Sequence, residues 1–399
     1  MAGCALLTPA RAQTTTLPDL QQADALGNDL FVKSGSTGMV MVVVRASNEK
    51  DKQVFFRGYG ETAPGNGQKP DEKSILRLCS LSKIFATDLL TKLVADKTVK
   101  LDDPLQRYAP PKVKVPSRSG HPITLLDLAT HTSGLPREVG AAPHGTPHFT
   151  FPDYAFRWHW LPTQRLRTVP GSTALYSNVG FDLLGDALQK AAHEPYSKLL
   201  AERTTVPLGM HETGFTPNPA QCDRLLQGAH DEGLCTDTQS SAGSAGVYST
   251  ATDMTIWLKY LLGTATPAIP AQNPAAQAVF IQPANLLKEQ GLDHAGDPTG
   301  IGLGWLHLLD PNDPATITEK TGGGAGFLTY IALNQARHTG IFIALTDGAT
   351  ETHLNAFKEA NNLLLTLAGL PTLPPEPPKR PVRPARKKVR KLPANAATP

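Results

Sequence analysis

Apolar residues recur along this chain with two periods, and the switch between them divides it into stretches of different architecture. Near the start, Leu20, Leu26, Leu30 and Phe31 fall at helical spacing and predict a helix over Asp19 to Lys33. Two runs rich in Val or Phe follow, Gly38 to Arg45 and Gln53 to Gly60, and predict strands joined by a short polar link. A Gly/Pro loop from Glu61 to Lys73 and a short apolar run, Ile75 to Leu78, lead into a helix over Ser80 to Val94. Its apolar face carries Ile84, Phe85, Leu89, Leu90, Leu93 and Val94. After Lys100 the pattern predicts short helices, one starting at Asp102-Asp103-Pro104 and one over Ile123 to His131, the second stopped by Gly134 and Pro136. Gly140 to Pro152 has no period and reads as a long loop, which at this length suits a site wall or lid. Helices are predicted over Val179 to Ala192, Tyr196 to Arg203, Thr250 to Leu262 and Ala275 to Glu289. Strand texture then returns over Ile301 to Leu309, Thr316 to Lys320, Phe327 to Asn334 and Gly340 to Thr346, and Glu351 to Leu367 closes as a helix.

Strands at both ends with helices between them predict an α/β (α+β) fold, a mostly antiparallel sheet assembled from the two ends of the chain and flanked by helices, with a helical lobe inserted. Residues 13–370 are expected to form one catalytic domain, with a sheet lobe over about 13–78 and 300–370 and a helical lobe over about 79–299. A cleft is expected where the lobes meet.

Charge and cysteines refine this picture. The net charge of +3 hides an asymmetry: residues 371–399 hold eight Lys or Arg and one Glu, so the rest of the chain is mildly acidic. That distribution argues against a nucleic-acid partner for the folded body. The Pro-rich basic tail reads as disordered and capable of peripheral contact with a membrane or an anionic wall polymer. No stretch approaches 18 consecutive apolar residues, which argues against a spanning helix. Residues 1–12 end in Ala10-Arg11-Ala12 and read as the remnant of a secretory signal peptide. Export fits the cysteines, because Cys222 and Cys235 bracket a short polar loop and are expected to pair in an oxidising compartment. Cys79 reads as a small buried apolar residue. His121, His131, His144, His148 and His159 lack ligand spacing, so no metal site is expected.

Three short motifs carry candidate chemistry. In Ser80-Leu81-Ser82-Lys83, serine and lysine lie three residues apart at a helix start, so an ammonium can lie beside the hydroxyl and the helix dipole favours an oxyanion there. Ser47-Asn48-Glu49-Lys50 has the same letters, but a hairpin link offers neither dipole nor fixed face. Tyr176-Ser177-Asn178 stands at the entrance to a helix; structurally, Tyr would pack and Asn would cap. Lys320-Thr321-Gly322-Gly323 ends a predicted strand, where the glycines permit close approach of a substrate backbone, Thr donates to a carboxylate and Lys supplies charge. His338-Thr339-Gly340 imitates this last motif in a hairpin turn, and the glycines from Gly322 to Gly326 lead into a strand, which argues against a phosphate cradle.

In this order, about 100 and 140 residues apart, the three motifs resemble those of the serine penicillin-recognising enzymes. The Tyr-x-Asn form resembles the class C β-lactamase branch. His131-Thr132-Ser133-Gly134-Leu135-Pro136 is a further string that resembles this family, and Leu135-Pro136-Arg137-Glu138 and the pair Cys222/Cys235 are more narrowly similar to periplasmic D-alanyl-D-alanine carboxypeptidases/endopeptidases of that branch. The resemblance implies a serine β-lactamase/DD-peptidase-like fold and a Ser80 nucleophile that forms an acyl-enzyme with peptidoglycan peptides or β-lactams. It implies Tyr176 as proton shuttle with Lys83 and Lys320 stabilising its phenolate, since neighbouring cations favour that form. Whether Lys83 or Tyr176 first takes the serine proton stays open. Asn178 is implied to bind the substrate amide, Thr321 with Lys320 the terminal carboxylate, and the N–H groups of Ser80 and Gly323 the oxyanion, with no metal or organic cofactor. Gly323 stands where many class C β-lactamases have Ser or Ala, which leaves efficient β-lactam hydrolysis open. A class C-like β-lactamase, an esterase, and a penicillin-binding sensor that acylates without turnover are the competing readings. The location implied is the periplasm, with peripheral inner-membrane association through the tail.

Overall fold

Apolar runs from the two ends of the chain meet in one seven-stranded sheet. The computed structural model describes residues 20–46, 52–230, 233–263, 272–292, 295–310, 312–347 and 351–373. The expected leader remnant, the Ser47-to-Lys50 link and the basic tail from 374 onward lie outside them. The strands are β1 (Gly38–Ala46), β2 (Lys52–Gly60), β3 (Pro298–Ile301), β4 (Leu306–Leu308), β5 (Ile317–Gly324), β6 (Phe327–Asn334) and β7 (Thr339–Thr346). Their order is β2-β1-β7-β6-β5-β4-β3 and each neighbouring pair is antiparallel.

Both faces of the sheet are covered, which explains why its strands read as unbroken apolar runs. Along β1, Val40, Val42 and Val44 point to one core and Met39, Met41 and Val43 to the other, as the two-residue strand period requires. The second core lies under α1 (Gln21–Ser34) and the C-terminal helix Glu351–Leu367, which pack against each other. The first core lies under α2 (Ser82–Ala95), α5 (Asn178–Ala192) and α6 (Ala251–Leu261), with the short α3 (Leu125–Ala129) and α4 (Tyr154–Trp160) beside α5. The C-terminal helix is α7. Register fixes a further detail: Val42 faces Phe342 on one side and Phe56 on the other, so a one-residue slip would exchange the two cores.

Several expectations are corrected. Ala275 to Glu289 is not a helix: Pro274 and Pro283 each start a short 3-10 turn, Pro274–Gln277 and Pro283–Asn285, and a proline inside the run removes the N–H a continuous helix needs. Ile301 to Leu309 is two strands, broken where Gly304 adopts φ 73°. The helix expected from Asp102 shortens to a 3-10 turn, Leu105–Tyr108. Helix α4 was not expected; Asp153 caps it by accepting from the Phe156 N–H. The Tyr196 helix continues through a π-turn, Ala201–Thr205, to Leu208. Among the described residues no helix is long and apolar enough to cross a membrane.

Candidate active site

Ser80 does not open the α-helix itself. It sits in a 3-10 turn, Cys79–Leu81, that joins the short strand Ile75–Arg77 to α2. Cys79 makes the corner at φ 52°, a region costly for any residue with a Cβ, and its buried thiol donates to the Gly324 carbonyl at 3.3 Å. Side chains tie the corner down. Ser82 Oγ donates to the Cys79 carbonyl at 2.7 Å and accepts from the Val247 N–H at 3.0 Å, and Thr329 Oγ1 donates to the Leu78 carbonyl at 2.8 Å. A turn held on three sides keeps Ser80 Oγ in one place, which nucleophilic attack requires.

Two groups reach that oxygen. Lys83 Nζ lies 3.0 Å away and Tyr176 Oη 2.7 Å away, both within hydrogen-bond distance. Lys83 is fully buried, and its nitrogen also donates to Asn178 Oδ1 at 2.7 Å and to the Ser244 carbonyl at 2.8 Å, the three bonds an ammonium can make. Burial pushes the Lys83 amine below the usual lysine range and the Lys320 charge adds to this, against the opposing pull of Tyr176 and Asp182. Tyr176 is stacked on His131, with ring centroids 4.4 Å apart. Three cations lie over its ring: Arg137 at 4.4 Å, Lys83 at 4.8 Å and Lys320 at 5.7 Å. Burial, then the charges of Lys83, Lys320 and Arg137, hold the His131 imidazole well below its ordinary pKa. The ring is therefore neutral, and its Nδ1 accepts from the Ser177 N–H at 3.1 Å.

The expected roles of Tyr176-Ser177-Asn178 shift in one respect. Ser177, rather than Asn178, caps α5, by accepting from the Gly180 N–H at 3.0 Å. Asn178 is thereby released to face Lys83 with its oxygen and Glu138 Oε1 with its nitrogen, at 2.5 Å. On the opposite wall β5 brings Lys320, Thr321, Gly322 and Gly323 alongside the Ser80 turn. Lys320 is 1% exposed and donates to the Thr321 carbonyl at 2.7 Å. Glycine is required at 322, because a Cβ there would stand 2.3 Å from Thr329 Oγ1 and 2.8 Å from the Leu78 carbonyl oxygen. At 323 the nearest atom would be Leu328 Cδ1 at 3.5 Å, so a small side chain fits.

Ser80, Tyr176 and Thr321 to Gly323 line a cavity of about 170 Å³ whose outer walls include Leu328 and Phe357. A second, of about 450 Å³, opens on the far side of Asn178, between the Gly140-to-Pro152 loop, Glu138, Asp182 and Ser244. Asp182 links the two parts of the site. Its Oδ1 accepts from the Ser244 N–H at 3.0 Å, while the Ser244 carbonyl accepts from Lys83. Burial raises the Asp182 carboxyl to about 6, against the pull of Arg157, the Ser244 N–H and Lys83. Away from the cleft, Cys222 and Cys235 are disulfide-bonded, with Cα atoms 5.7 Å apart. No cluster that could hold a metal ion occurs among the described residues.

Arg137, Glu138, Asp182 and Ser244 were not anticipated as site residues. Asp182 left a signal: it lies four residues after Asn178 on the apolar face of α5, where an acid needs a reason. Ser244 contributes only backbone groups, which no side-chain pattern reveals.

An antiparallel sheet bearing a buried Ser80–Lys83–Tyr176 cluster beside a Lys-Thr-Gly strand defines a β-lactamase-type protein. Residues 21–364 match the Beta-lactamase family, and the chain belongs to it. More particularly, it is 40% identical over 372 residues to the D-alanyl-D-alanine-carboxypeptidase/endopeptidase AmpH of Escherichia coli K12, covering 92% of this chain and 95% of that protein. Among solved structures, the β-lactamase/D-alanine carboxypeptidase from Yersinia pestis, complexed with citrate, is 40% identical with a TM-score of 0.80, covering 87% of this chain and 97% of that one. A class C β-lactamase from Rhodobacter sphaeroides, 21% identical with a TM-score of 0.66 over 85% of this chain and 97% of that one, shares the fold.

Proposed function

We propose that this chain is a serine-type D-alanyl-D-alanine carboxypeptidase/endopeptidase that cleaves peptidoglycan peptides through an acyl-enzyme on Ser80 and is acylated by β-lactams at the same oxygen. The observation that carries the reading is the meeting of Lys83 Nζ and Tyr176 Oη on one serine oxygen. Identity of 40% to AmpH along nearly its whole length supports the substrate class.

In the reaction, Ser80 Oγ attacks the carbonyl between two D-residues, and the serine proton leaves toward the tyrosine oxygen or the lysine nitrogen, the two atoms in reach. The tetrahedral oxyanion sits against the N–H groups of Ser80 and Gly323. The C–N bond breaks as the shuttle returns its proton to the departing amine, and water then cleaves the ester by the same path in reverse. Lys83 and Lys320, whose nitrogens lie 4.8 and 5.7 Å from the centre of the Tyr176 ring, are the cations assigned to stabilising negative charge on its oxygen during the transfer. Asn178 holds Lys83 in line and presents its amide to the substrate.

The periplasm is the proposed location, supported by the Cys222–Cys235 bridge, since such bonds persist in oxidising compartments. Contact of the basic tail with membrane or wall polymer belongs to the same proposal; loss of low-salt sacculus binding on deleting residues 371–399 would support it, and unchanged binding would remove it. The central test is incubation with defined muropeptides and identification of products by mass. Release of D-Ala and conversion of cross-linked muropeptides to separate strands by the wild type, with neither by Ser80→Ala, is expected. A Ser80→Ala protein that still forms a covalent penicillin adduct overturns the reading.

A further inference from the structure

Among the described residues lining the Ser80 cavity, Arg137 is the only one that carries a charge. Lys320, the cation expected to meet the substrate carboxylate, is instead buried behind the cavity wall, with its nitrogen on the Thr321 carbonyl. Arg137 has the opposite disposition. Its side chain is 61% exposed, and its guanidinium carbon lies 4.4 Å from the centre of the Tyr176 ring. Its backbone is fixed, because the Arg137 carbonyl accepts from the N–H groups of Asn178 and Val179 at 2.9 and 3.4 Å, satisfying the first turn of α5. The nearest acid is Glu138, whose Oε1 stands 3.9 Å from Arg137 Nε while making its shorter bond to Asn178. A guanidinium lying over an aromatic ring keeps the N–H edge of its plane available, and that edge matches a carboxylate.

The two cavities differ in sign. The 450 Å³ cavity beyond Asn178 is lined by Glu138 and Asp182, which repel an anion. The 170 Å³ cavity holds Arg137 and the Thr321 hydroxyl and has no acidic lining residue among those described. An anionic group is thus favoured in the smaller cavity.

We propose that Arg137, with Thr321, binds the α-carboxylate of the leaving D-residue, and so selects substrates in which the departing amine carries that carboxylate. This rests on Ser80 being the acylated residue. Both the terminal D-Ala of an uncross-linked peptide and the D-centre of a cross-link carry the group, so one anchor serves carboxypeptidase and endopeptidase cleavage alike. The donor peptide is left to the larger cavity.

The test compares an acyl-D-Ala-D-Ala peptide with a free C-terminus, the same peptide C-terminally amidated, and an acyl-D-Ala ester of a small uncharged alcohol, using wild type, Arg137→Gln and Arg137→Lys. For Arg137→Gln, kcat/KM on the free-carboxylate peptide is expected to fall at least about tenfold, mainly through KM, because a charge-assisted hydrogen bond is lost. Ester and amide rates should stay within about twofold, and Arg137→Lys should recover part of the loss. The retained ester rate also shows that the variant is folded. An equal loss on all three substrates would assign Arg137 to positioning Tyr176 and overturn the proposal, as would an unchanged preference for the free carboxylate. A wild type inert towards all three would overturn the acyl-transfer reading instead.

Discussion

Replacing Asp182 with Asn should make the protein more stable and shift its chemistry, and the size of the first effect follows from the buried carboxyl. Asp182 is 3% exposed, and burial raises its pKa from 3.8 to about 6. The folded state therefore holds the proton more tightly than the unfolded chain, and stability from this group is full below the unfolded pKa and falls as pH rises towards 6. Over the whole window the loss is about 3 kcal/mol, from about two pKa units at 1.36 kcal/mol each. Between about pH 5 and pH 7.5 the share lost is about 1.4 kcal/mol. Asn keeps an oxygen for the Ser244 N–H and cannot ionise. The charged groups facing this position are Lys83, Arg157 and Asp186, with the Tyr196 hydroxyl nearby, and they remain in both proteins. Urea unfolding of wild type and Asp182→Asn at the two pH values gives the difference directly. The advantage of the variant should grow by about 1.4 kcal/mol from the lower to the higher pH. An advantage that is flat with pH, or that shrinks, would refute the buried-carboxyl argument. Removing the same charge takes away one of the groups that raise the Lys83 pKa, so the acid limb of kcat/KM should move to lower pH.

Two further outcomes test the geometry. Tyr176→Phe removes the hydroxyl 2.7 Å from Ser80 Oγ but keeps the ring against His131, so kcat should fall about 10²- to 10⁴-fold in steady-state hydrolysis while thermal stability holds; a loss under tenfold would exclude a shuttle there. Gly322→Ala places a methyl against the Leu78 carbonyl that anchors the Ser80 turn, whereas at 323 the added methyl meets only Leu328 Cδ1 at an ordinary 3.5 Å, so acylation by fluorescent penicillin should drop at least about tenfold in the first and less than about threefold in the second. Equal effects would mean that β5 does not press on the turn.

The long elements were legible because a single period runs through each. β1, β6 and β7 read as strands from their own composition, α5 read as a helix, and the ends of the chain could be paired because hairpin links are short. Where the pattern misled, a local breaker had more weight than the period, as with Pro283 inside an apparently helical run.

Motif residues, too, could be read in advance, since their spacing constrains them: Lys83 lies one turn from Ser80, and the glycine after Thr321 answers a close approach of two backbones. What only the tertiary structure decided is which groups share the space around them. Arg137 caps α5 through its carbonyl, Ser244 offers a backbone oxygen to Lys83, and Lys320 turns its nitrogen to its neighbour's carbonyl. Such placements depend on contacts between residues far apart in the chain. Local sequence sets the period of an element and the chemistry of each side chain, but exposure and the nearest charge are properties of the packed whole.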